Sequence, residues 1–396
     1  MGKEGIGQRG YIPELYLISR KIIQVFMKLK LCFLTFLTLF AFQTVFSQET
    51  PGEVFLRNGE YQKAIDYYNI ALKTNTSNSD MFNYRGYCKY KLKDYKGALE
   101  DYNRAIKLSP FDPDAYYNRG NVEHELHDEL GALADYDKCI SMKADYGDAY
   151  NNRANEKVIM KDSVGALLDY NSAIELEPDS AKAYLGRGNL KFKMSDVRGA
   201  KDDYDKAISI DSTRPDYFYQ RAIVRDTLRD YKGALKDYNK TLAFIPDLPD
   251  GFQGRADCEL KMGNIKAAIK DYTKAIDLSP KDGWAYLDRS YAYIQSKDYK
   301  LAIMDCNEAQ RLLPTDATPI VRRGDAKVAM GDYKAADIDY VQAIGIDGRS
   351  SEAYYKRGLE EIANKQYDFG CKDLKRAQDL GYKGGIDAIM KQNCQN

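Results

Sequence analysis

Arginine and aspartate recur along most of the chain at a fixed interval, and both residue types can bind charged ligands or each other. Nine arginines follow one another at steps of 34 residues: Arg85, Arg119, Arg153, Arg187, Arg221, Arg255, Arg289, Arg323 and Arg357. Nine aspartates keep the same step: Asp101, Asp135, Asp169, Asp203, Asp237, Asp271, Asp305, Asp339 and Asp373. A row of arginines can bind anions, but an arginine that meets a carboxylate in every repeat needs no ligand. Because the two series match in number and period, we predict structural Arg–Asp pairs.

Few other residues suggest chemistry. His124 and His127 are the only histidines, and two ligands fall short of the four that zinc usually takes, so we expect them on the surface. The chain has no G-x-S-x-G, no phosphate-binding glycine loop and no H-E-x-x-H. We therefore predict no enzyme, no cofactor, and no catalytic or metal-binding residues. The 59 basic and 59 acidic residues balance, which argues against nucleic acid as a partner.

The same interval governs the apolar and small residues, and their spacing indicates helices. With each repeat numbered from 1 to 34, the full repeats begin at Ser79, Pro113, Gly147, Ala181, Pro215, Pro249, Gly283, Ala317 and Ser351. Position 4 is mostly aromatic, position 8 always small, position 20 almost always alanine and position 24 mostly tyrosine. These spacings put the side chains on one face of each of two closely packed helices. Each repeat is therefore predicted to be a helix–turn–helix in which position 7 lies beside position 23.

The ends of these helices also carry signals. Position 2 is expected to cap the first helix where it is aspartate, at Asp114, Asp148, Asp216 and Asp250. Position 16 is expected in the turn, and proline at position 32 stops the second helix.

These columns resemble the tetratricopeptide repeat (TPR) family over about residues 53–384. The resemblance implies an all-α fold, a right-handed superhelical solenoid of helix–turn–helix units with a period of 34 and a concave groove that binds peptides or proteins. Arginine at position 7 replaces the leucine usual in the family, as in its Arg-Gly variants. After Gly384 the pattern breaks, and residues 385–396 are predicted to form a C-terminal capping helix.

The resemblance also implies which residues face the groove, since positions 5 and 9 of the first helix point inward in the family. With Trp284, the only tryptophan, the expected partner-binding residues are Tyr117, Asn121, Asn151, Asn155, Asn189, Tyr219, Asp257, Trp284 and Tyr291. Asparagine amides can hold an extended peptide backbone, and tyrosine rings supply contact area. Two alternatives stay open: asparagine at position 9 is simply common in the family, and Trp284 has a packing role.

One partner of the family is rejected. Some members bind the C-terminal carboxylate of chaperones through a set of lysine, asparagine and arginine residues, of which Asn121, Asn152 and Lys182 match. Tyr117 and Gly186 stand where two cationic residues would be needed.

The beginning of the chain resembles an export signal. Lys28 and Lys30 precede an apolar run from Leu31 to Phe46, and Ser47 fits a small-residue cleavage site. The run is shorter than the ~20 residues of a membrane anchor, which is the alternative. We therefore expect residues 1–26 to be a non-native start extension, 27–47 a signal peptide, 48–78 an incomplete first repeat and 79–384 nine full repeats. The mature protein would be periplasmic, outer-membrane-associated or secreted, with no direct membrane insertion.

Two of the cysteines are predicted to form a disulfide. Cys371 lies in the last second helix, and Cys394 lies level with it if the capping helix runs back after a turn near Tyr382. The alternative is two reduced thiols. The other cysteines of the repeats, Cys88, Cys139, Cys258 and Cys306, are expected to be small buried hydrophobic residues.

The sequence thus predicts an exported, non-enzymatic scaffold that binds a protein or peptide in its concave groove. The alternative is a structural component of an envelope or outer-membrane complex, bound through the edges of the solenoid.

Overall fold

A computed structural model describes residues 49–394, and its secondary structure there consists of 21 α-helices without a strand. The predicted extension 1–26 and signal peptide 27–47 lie outside the described residues. The described chain divides into two compact units, one ending at Asp128 and one beginning at Glu129. Each unit is described by itself. Among the described helices, none combines the length and the apolar composition that a membrane span requires.

The N-terminal unit holds five helices. They are α1 (Pro51–Arg57), α2 (Tyr61–Thr74), α3 (Ser79–Lys91), α4 (Tyr95–Leu108) and α5 (Pro113–Glu125). Helix α1 has seven residues and starts at a capping box, in which Thr50 and Glu53 satisfy each other's backbone N–H groups. Helices α1 and α2 occupy the segment that the sequence assigns to an incomplete first repeat.

The C-terminal unit continues the alternation of first and second helices. Its helices are α6 (Glu129–Met142), α7 (Gly147–Ile159), α8 (Ser163–Leu176), α9 (Ala181–Lys193), α10 (Val197–Ile210), α11 (Pro215–Thr227), α12 (Tyr231–Phe244), α13 (Pro249–Lys261), α14 (Ile265–Leu278), α15 (Gly283–Ser296), α16 (Tyr299–Leu312), α17 (Thr318–Ala329), α18 (Tyr333–Ile346), α19 (Ser351–Ala363), α20 (Tyr367–Asp379) and α21 (Ile386–Asn393). Helices α7 to α20 pack as seven successive hairpins. The predicted all-α solenoid of helix–turn–helix repeats is confirmed within each unit.

The turn inside each hairpin is built at positions 15 and 16. In every full repeat position 15 has a positive φ, and the residues are Lys93, His127, Lys161, Ser195, Arg229, Gly263, Lys297, Gly331 and Lys365. After α3, Lys93 N–H donates to Tyr90 O and Asp94 N–H donates to Lys89 O, each at 2.9 Å, which is the Schellman ending of a helix. The Asp94 side chain then accepts from Gly97 N–H at 3.0 Å and caps α4. The turn residue at position 16 is therefore also the cap of the second helix.

The predicted caps of the first helices are wrong. The cap of α5 is Asp112, whose side chain accepts from Asp114 N–H at 3.0 Å, and Asp114 itself lies in the first turn. Asp148, Asp216 and Asp250 likewise lie in the first turns of α7, α11 and α13. The reason is that position 1 is already helical, often as a proline, so position 2 comes too late to cap. An acidic residue there still favours the positive end of the helix dipole.

The core of each hairpin lies where the two helices cross. The alanines at position 20 and the tyrosines at position 24 are buried, for example Ala200 and Tyr204 at 0% exposure. A Cβ atom added to Gly188 at position 8 would lie 2.8 Å from the Tyr204 ring, so this glycine makes room for the ring. The predicted close approach of the two helices follows from these small residues.

The predicted capping helix is present as α21. Its Ile386 is buried against Leu374 and Ala377 of α20, and the Tyr382 ring stacks on Tyr355 with centroids 4.1 Å apart. The apolar side of the last hairpin is thereby covered.

Candidate functional site

The recurring arginines and aspartates pair in every repeat that lies wholly within one unit. Each arginine donates two hydrogen bonds, from Nε and Nη2, to the carboxylate 16 residues later: Arg85–Asp101, Arg153–Asp169, Arg187–Asp203, Arg221–Asp237, Arg255–Asp271, Arg289–Asp305, Arg323–Asp339 and Arg357–Asp373. For Arg187 and Asp203 the distances are 3.0 and 2.7 Å. Structural pairing is confirmed for these repeats. Arg119 and Asp135 belong to different units, and their pairing stays a prediction.

A second cation joins most of these pairs, which the sequence analysis missed. In five repeats a lysine or arginine at position 11 contacts the same aspartate: Lys89, Lys157, Lys191, Arg225 and Lys327. Lys191 Nζ, for example, lies 2.8 Å from Asp203 Oδ2. Position 11 is one helical turn beyond position 7, so reading that column for lysine would have revealed the contact.

The arginines also join successive repeats. Nη1 of Arg187 donates to Asn171 of the preceding hairpin at 2.7 Å, and the guanidinium lies over the Tyr184 ring at 5.5 Å. Arg255 repeats this arrangement with Asn239 and Phe252. Because all three guanidinium nitrogens of Arg187 and of Arg255 donate hydrogen bonds inside the fold, these arginines are scaffold rather than an anion site. We call the Arg–Asp pairs and their second cations the ion-pair ladder.

The expected partner-binding residues all lie on first helices. Tyr117 and Asn121 are on α5 of the N-terminal unit, whereas the C-terminal unit carries Asn151 and Asn155 on α7, Asn189 on α9, Tyr219 on α11, Asp257 on α13, and Trp284 and Tyr291 on α15. Trp284 is 50% exposed and Tyr291 is 41% exposed. Asn151 is 5% exposed and donates to Asn152 Oδ1 at 3.0 Å, which makes it poorly accessible to a partner. Tyr219 packs edge-on against the Tyr238 ring, 6.0 Å away.

Position 9 has a structural bond that the sequence analysis did not foresee. The hydroxyl of the tyrosine at position 24 donates to the asparagine or aspartate at position 9, in the pairs Tyr170–Asn155, Tyr204–Asn189, Tyr272–Asp257 and Tyr340–Asp325. The asparagine oxygen therefore satisfies a tyrosine that is otherwise buried. Asn155 and Asn189 therefore have a structural role, whereas the two interpretations of position 9, as a partner-binding position or as one where asparagine is simply common in the family, stay predictions.

One cavity brings two of the expected residues together. It lies between α13, α14 and α15, has a volume of about 440 Å³, and is lined by Asp257 and Tyr291 from adjacent repeats. Asp288, Tyr272 and Lys261 line it as well. We call it the α13–α15 cavity. Asp288 was absent from the predicted set because it lies at position 6, which the family resemblance does not place in the groove.

The carboxylates of this cavity differ from those of the ion-pair ladder. Burial and the nearby Asp257 carboxylate raise the pKa of Asp288 to about 7, while Arg322 opposes that rise. Burial and, to a lesser extent, Asp226 raise the pKa of Asp257, although its hydrogen bond from Tyr272 and the charge of Lys261 act in the other direction. Within the described part of the chain neither carboxylate forms an ion pair. A carboxyl group in a cleft whose pKa is raised by burial and a like charge is a candidate for a functional site.

The remaining candidates for chemistry lie apart from this cavity. His124 and His127 are exposed as expected, and no metal-binding group of histidine, cysteine or acidic residues occurs in residues 49–394. Cys88, Cys139, Cys258 and Cys306 are buried thiols, as predicted. Lys182 forms an ion pair with Asp148 and is thus not a free cation for a carboxylate ligand.

The two remaining cysteines of residues 49–394 are joined in the structure. Cys371 of α20 and Cys394 after α21 are bonded, with their Cα atoms 5.7 Å apart, a normal separation for a disulfide. The sequence separation is 23 residues. Whether the bond forms in the native protein stays a prediction.

Comparisons with known proteins agree with this architecture. Family models described as "TPR repeat" match residues 86–126, and models described as "Tetratricopeptide repeat" match 254–317 as well as 113–146, 181–214 and 318–349. A comparison with curated proteins finds no match.

Several solved structures are similar to the chain. A tetratricopeptide repeat protein from Parabacteroides merdae has 20% identity and a TM-score of 0.54, covering 63% of this chain and 99% of its own. YrrB, a TPR protein with an unusual peptide-binding site, has 22% identity and a TM-score of 0.44, covering 47% of this chain and 95% of its own. Yeast Tom70 has 15% identity and a TM-score of 0.45, covering 87% of this chain and 94% of its own. At such identities the first of these supports the fold alone.

The repeated family matches and the confirmed hairpins lead to one assignment. The chain belongs to the tetratricopeptide repeat family, whose fold is a scaffold for binding proteins or peptides.

Proposed function

We propose that this protein is a non-enzymatic adaptor that holds a peptide segment of a protein partner against its first helices, with the α13–α15 cavity as the principal contact. The observation that carries the proposal is that Asp257 and Tyr291, expected from adjacent repeats, line one cavity of about 440 Å³. That volume lies within the ~300–1,000 Å³ of ordinary ligand sites.

Exposed aromatic rings beside the cavity support a protein or peptide as the ligand. Tyr291 borders the cavity, and Trp284 lies on the same helix two turns before it. Both rings are about half exposed. Tyrosine and tryptophan lose little entropy on binding and are enriched among the residues that dominate protein interfaces.

Export is the second part of the proposal. The apolar run before Ser47 supports it, and so does the geometry of Cys371 and Cys394, because disulfides persist in oxidising compartments. The partner would then be a protein or peptide of the cell envelope or its surroundings. N-terminal sequencing of the native protein should start near Gln48, and a native pool that retains Met27 would exclude cleavage.

A second candidate function rests on the second helices. Leu168 of α8, Met304 of α16 and Ile338 of α18 are apolar and more than 60% exposed, at 63%, 64% and 66%. All three lie at position 22, on the side of the hairpins away from the first helices. These residues favour a structural component that is bound through the outer side of the repeats.

Site-specific photo-crosslinking separates the two functions. A benzoylphenylalanine is placed at Tyr291, at Met304, or at the exposed Asp277 of α14 as the control, and the protein is irradiated in its native cells. The proposal expects a partner cross-linked from the Tyr291 position, with the Met304 variant no better than the control. Cross-linking from the Met304 position alone would replace the proposal by the second candidate.

A further inference from the structure

We infer that the α13–α15 cavity takes a basic side chain, lysine or arginine, of the bound peptide. The inference rests on the proposed function, because it names the chemistry of the partner at the same cavity. It stands on the open space between the three helices, on the charges that face it, and on which of those charges already have partners.

The cations near the cavity are already engaged. Lys261 belongs to the cavity lining, but its Nζ lies 2.7 and 2.8 Å from the two carboxylate oxygens of Asp226, which does not. The Arg322 guanidinium lies over the Tyr291 ring, 4.7 Å from its centroid, and forms no ion pair with Asp288 within the described chain. Within the described chain neither Asp257 nor Asp288 forms an ion pair, and Lys261 and Arg322 act on them only through their charge.

The polar contacts inside the cavity leave this negative charge in place. The Tyr272 hydroxyl donates a hydrogen bond to Asp257, which orders that carboxylate without neutralising it. Asp282, just before α15, accepts from Gln253 at 2.6 Å and adds a further negative charge that faces Asp288. An acidic ligand would therefore meet like charges, whereas a cationic head group would meet two acceptors.

The walls of the cavity fit the remainder of a basic side chain. Leu260 and Ile265 are apolar parts of its lining, and Gly263 between them projects no side chain. Lysine and arginine have aliphatic stems that pack on apolar surface while their charged ends reach polar groups. The Tyr291 ring can face the same cation, although Arg322 already covers part of it.

The ionisation of the cavity supports the same ligand. Burial and the neighbouring carboxylate raise the pKa of Asp288 to about 7, and a bound cation would favour its ionised form. The groups that face Asp288 are Asp257 from α13, Asp282 before α15 and Arg322 from α17.

The chain itself supplies conservative variants for a test. Asparagine occupies position 9 at Asn155 and Asn189 and accepts the same tyrosine bond there, so Asp257→Asn keeps that contact. Position 6 is asparagine at Asn118 and Asn152, so Asp288→Asn also has a precedent in the chain. The double variant D257N/D288N therefore removes charge with little change in shape. Asp277→Asn, on the exposed side of α14, is the matched control.

The experiment selects peptides from a random phage-displayed library on the purified protein, on D257N/D288N and on D277N. Melting of each variant is recorded so that an unfolded variant is recognised. Peptides selected on the wild-type protein should be enriched in lysine and arginine, and the enrichment should survive in D277N and disappear in D257N/D288N. Replacing the basic residue of a selected peptide by norleucine should weaken its affinity at least ~tenfold.

The outcomes separate this inference from the proposed function. Peptides that bind the first helices without enrichment in basic residues, or whose binding is equal in D257N/D288N, overturn the cation site and leave the adaptor function standing. If no peptide is selected on the wild-type protein, the adaptor function fails and the cation site fails with it.

Discussion

The ion-pair ladder and the α13–α15 cavity contain the same residue type in different electrostatic states. In the ladder, Asp203 is 5% exposed at its side chain and meets both Arg187 and Lys191. In the cavity, the Asp257 charge acts on Asp288, Lys261 is paired with Asp226, and Arg322 lies over the Tyr291 ring. Both sets of aspartates lie between packed helices of the same kind of 34-residue repeat.

This difference distinguishes scaffold from site. A buried carboxylate with two cations contributes to one fixed geometry and has nothing left for a ligand. A carboxylate whose pKa is raised by burial and a nearby carboxylate takes up a proton more readily, and such groups concentrate at functional sites. The ladder therefore explains how the repeats are held together, and the cavity explains where a partner would add free energy.

The largest expected effect comes from breaking the ladder in a repeat that has no second cation. Within the described chain Arg255 is the only cation that pairs with Asp271, because position 11 of that repeat is Glu259. Arg255→Leu should lower the free energy of unfolding by about 3–5 kcal/mol, since it leaves a buried carboxylate without a cation. Arg187→Leu should cost less, about 3 kcal/mol, because Lys191 still contacts Asp203. Urea unfolding followed by circular dichroism measures both.

The pairing itself is checked by the double variants. Adding Asp271→Asn to Arg255→Leu, or Asp203→Asn to Arg187→Leu, should recover part of each loss. Purely additive losses would show that the paired residues are independent, and equal losses for the two arginines would show that the second cation is unimportant.

A smaller effect is expected at the end of the chain. The bond between Cys371 and Cys394 closes a loop with a sequence separation of 23, for which chain entropy suggests about 3 kcal/mol of stabilisation. Because a solenoid can unfold from its end, Cys371→Ser should mainly loosen α21. Hydrogen exchange in α20 and α21 should be faster in the variant than in the wild type, and exchange in α13 should be the same in both.

The disulfide has its own check in the native protein. Mass spectrometry of non-reduced tryptic peptides should find the peptides of Cys371 and Cys394 linked. Two alkylated thiols in protein trapped directly from cells would instead favour the reduced alternative.

The sequence predicts the ladder well and the cavity poorly, for a physical reason. The ladder repeats once per 34 residues, so matching columns and an antiparallel hairpin suffice to pair Arg187 with Asp203. The charge of the cavity depends on which side chains of three helices and their neighbours pair with one another. The engagement of Lys261 by Asp226 cannot be read from any column. Asn155 was an expected groove residue, but its role as acceptor for Tyr170 required the three-dimensional register of both helices.

A smaller effect is expected for the pH dependence of stability. The pKa of Asp288 is raised to about 7 in the folded protein, above the ~3.9 of an unfolded aspartate. The folded state then binds more protons between these values, so Asp288 makes stability fall as pH rises through that window. Asp288→Asn removes this loss of stability. The melting midpoint of the D288N variant should therefore exceed that of the wild type by more at pH ~8 than at pH ~5. After solvent screening we expect about 1 kcal/mol.

The matched control for this effect is Asp277→Asn, which changes the same group on the exposed side of α14. Its melting midpoint should follow that of the wild type at both pH values. A D288N variant that is less stable than the wild type at high pH would mean that Asp288 is held by favourable contacts, as the ladder aspartates are.

The most direct measurement of the contrast between ladder and cavity is a calorimetric titration of one selected lysine-containing peptide into three proteins. They are the wild type, D257N/D288N, and Asp203→Asn, which alters the ladder several repeats away. The account predicts that D257N/D288N loses at least ~tenfold in affinity while the folded D203N protein binds like the wild type. Equal affinity for D257N/D288N and the wild type, or an equal loss in both variants, would contradict it.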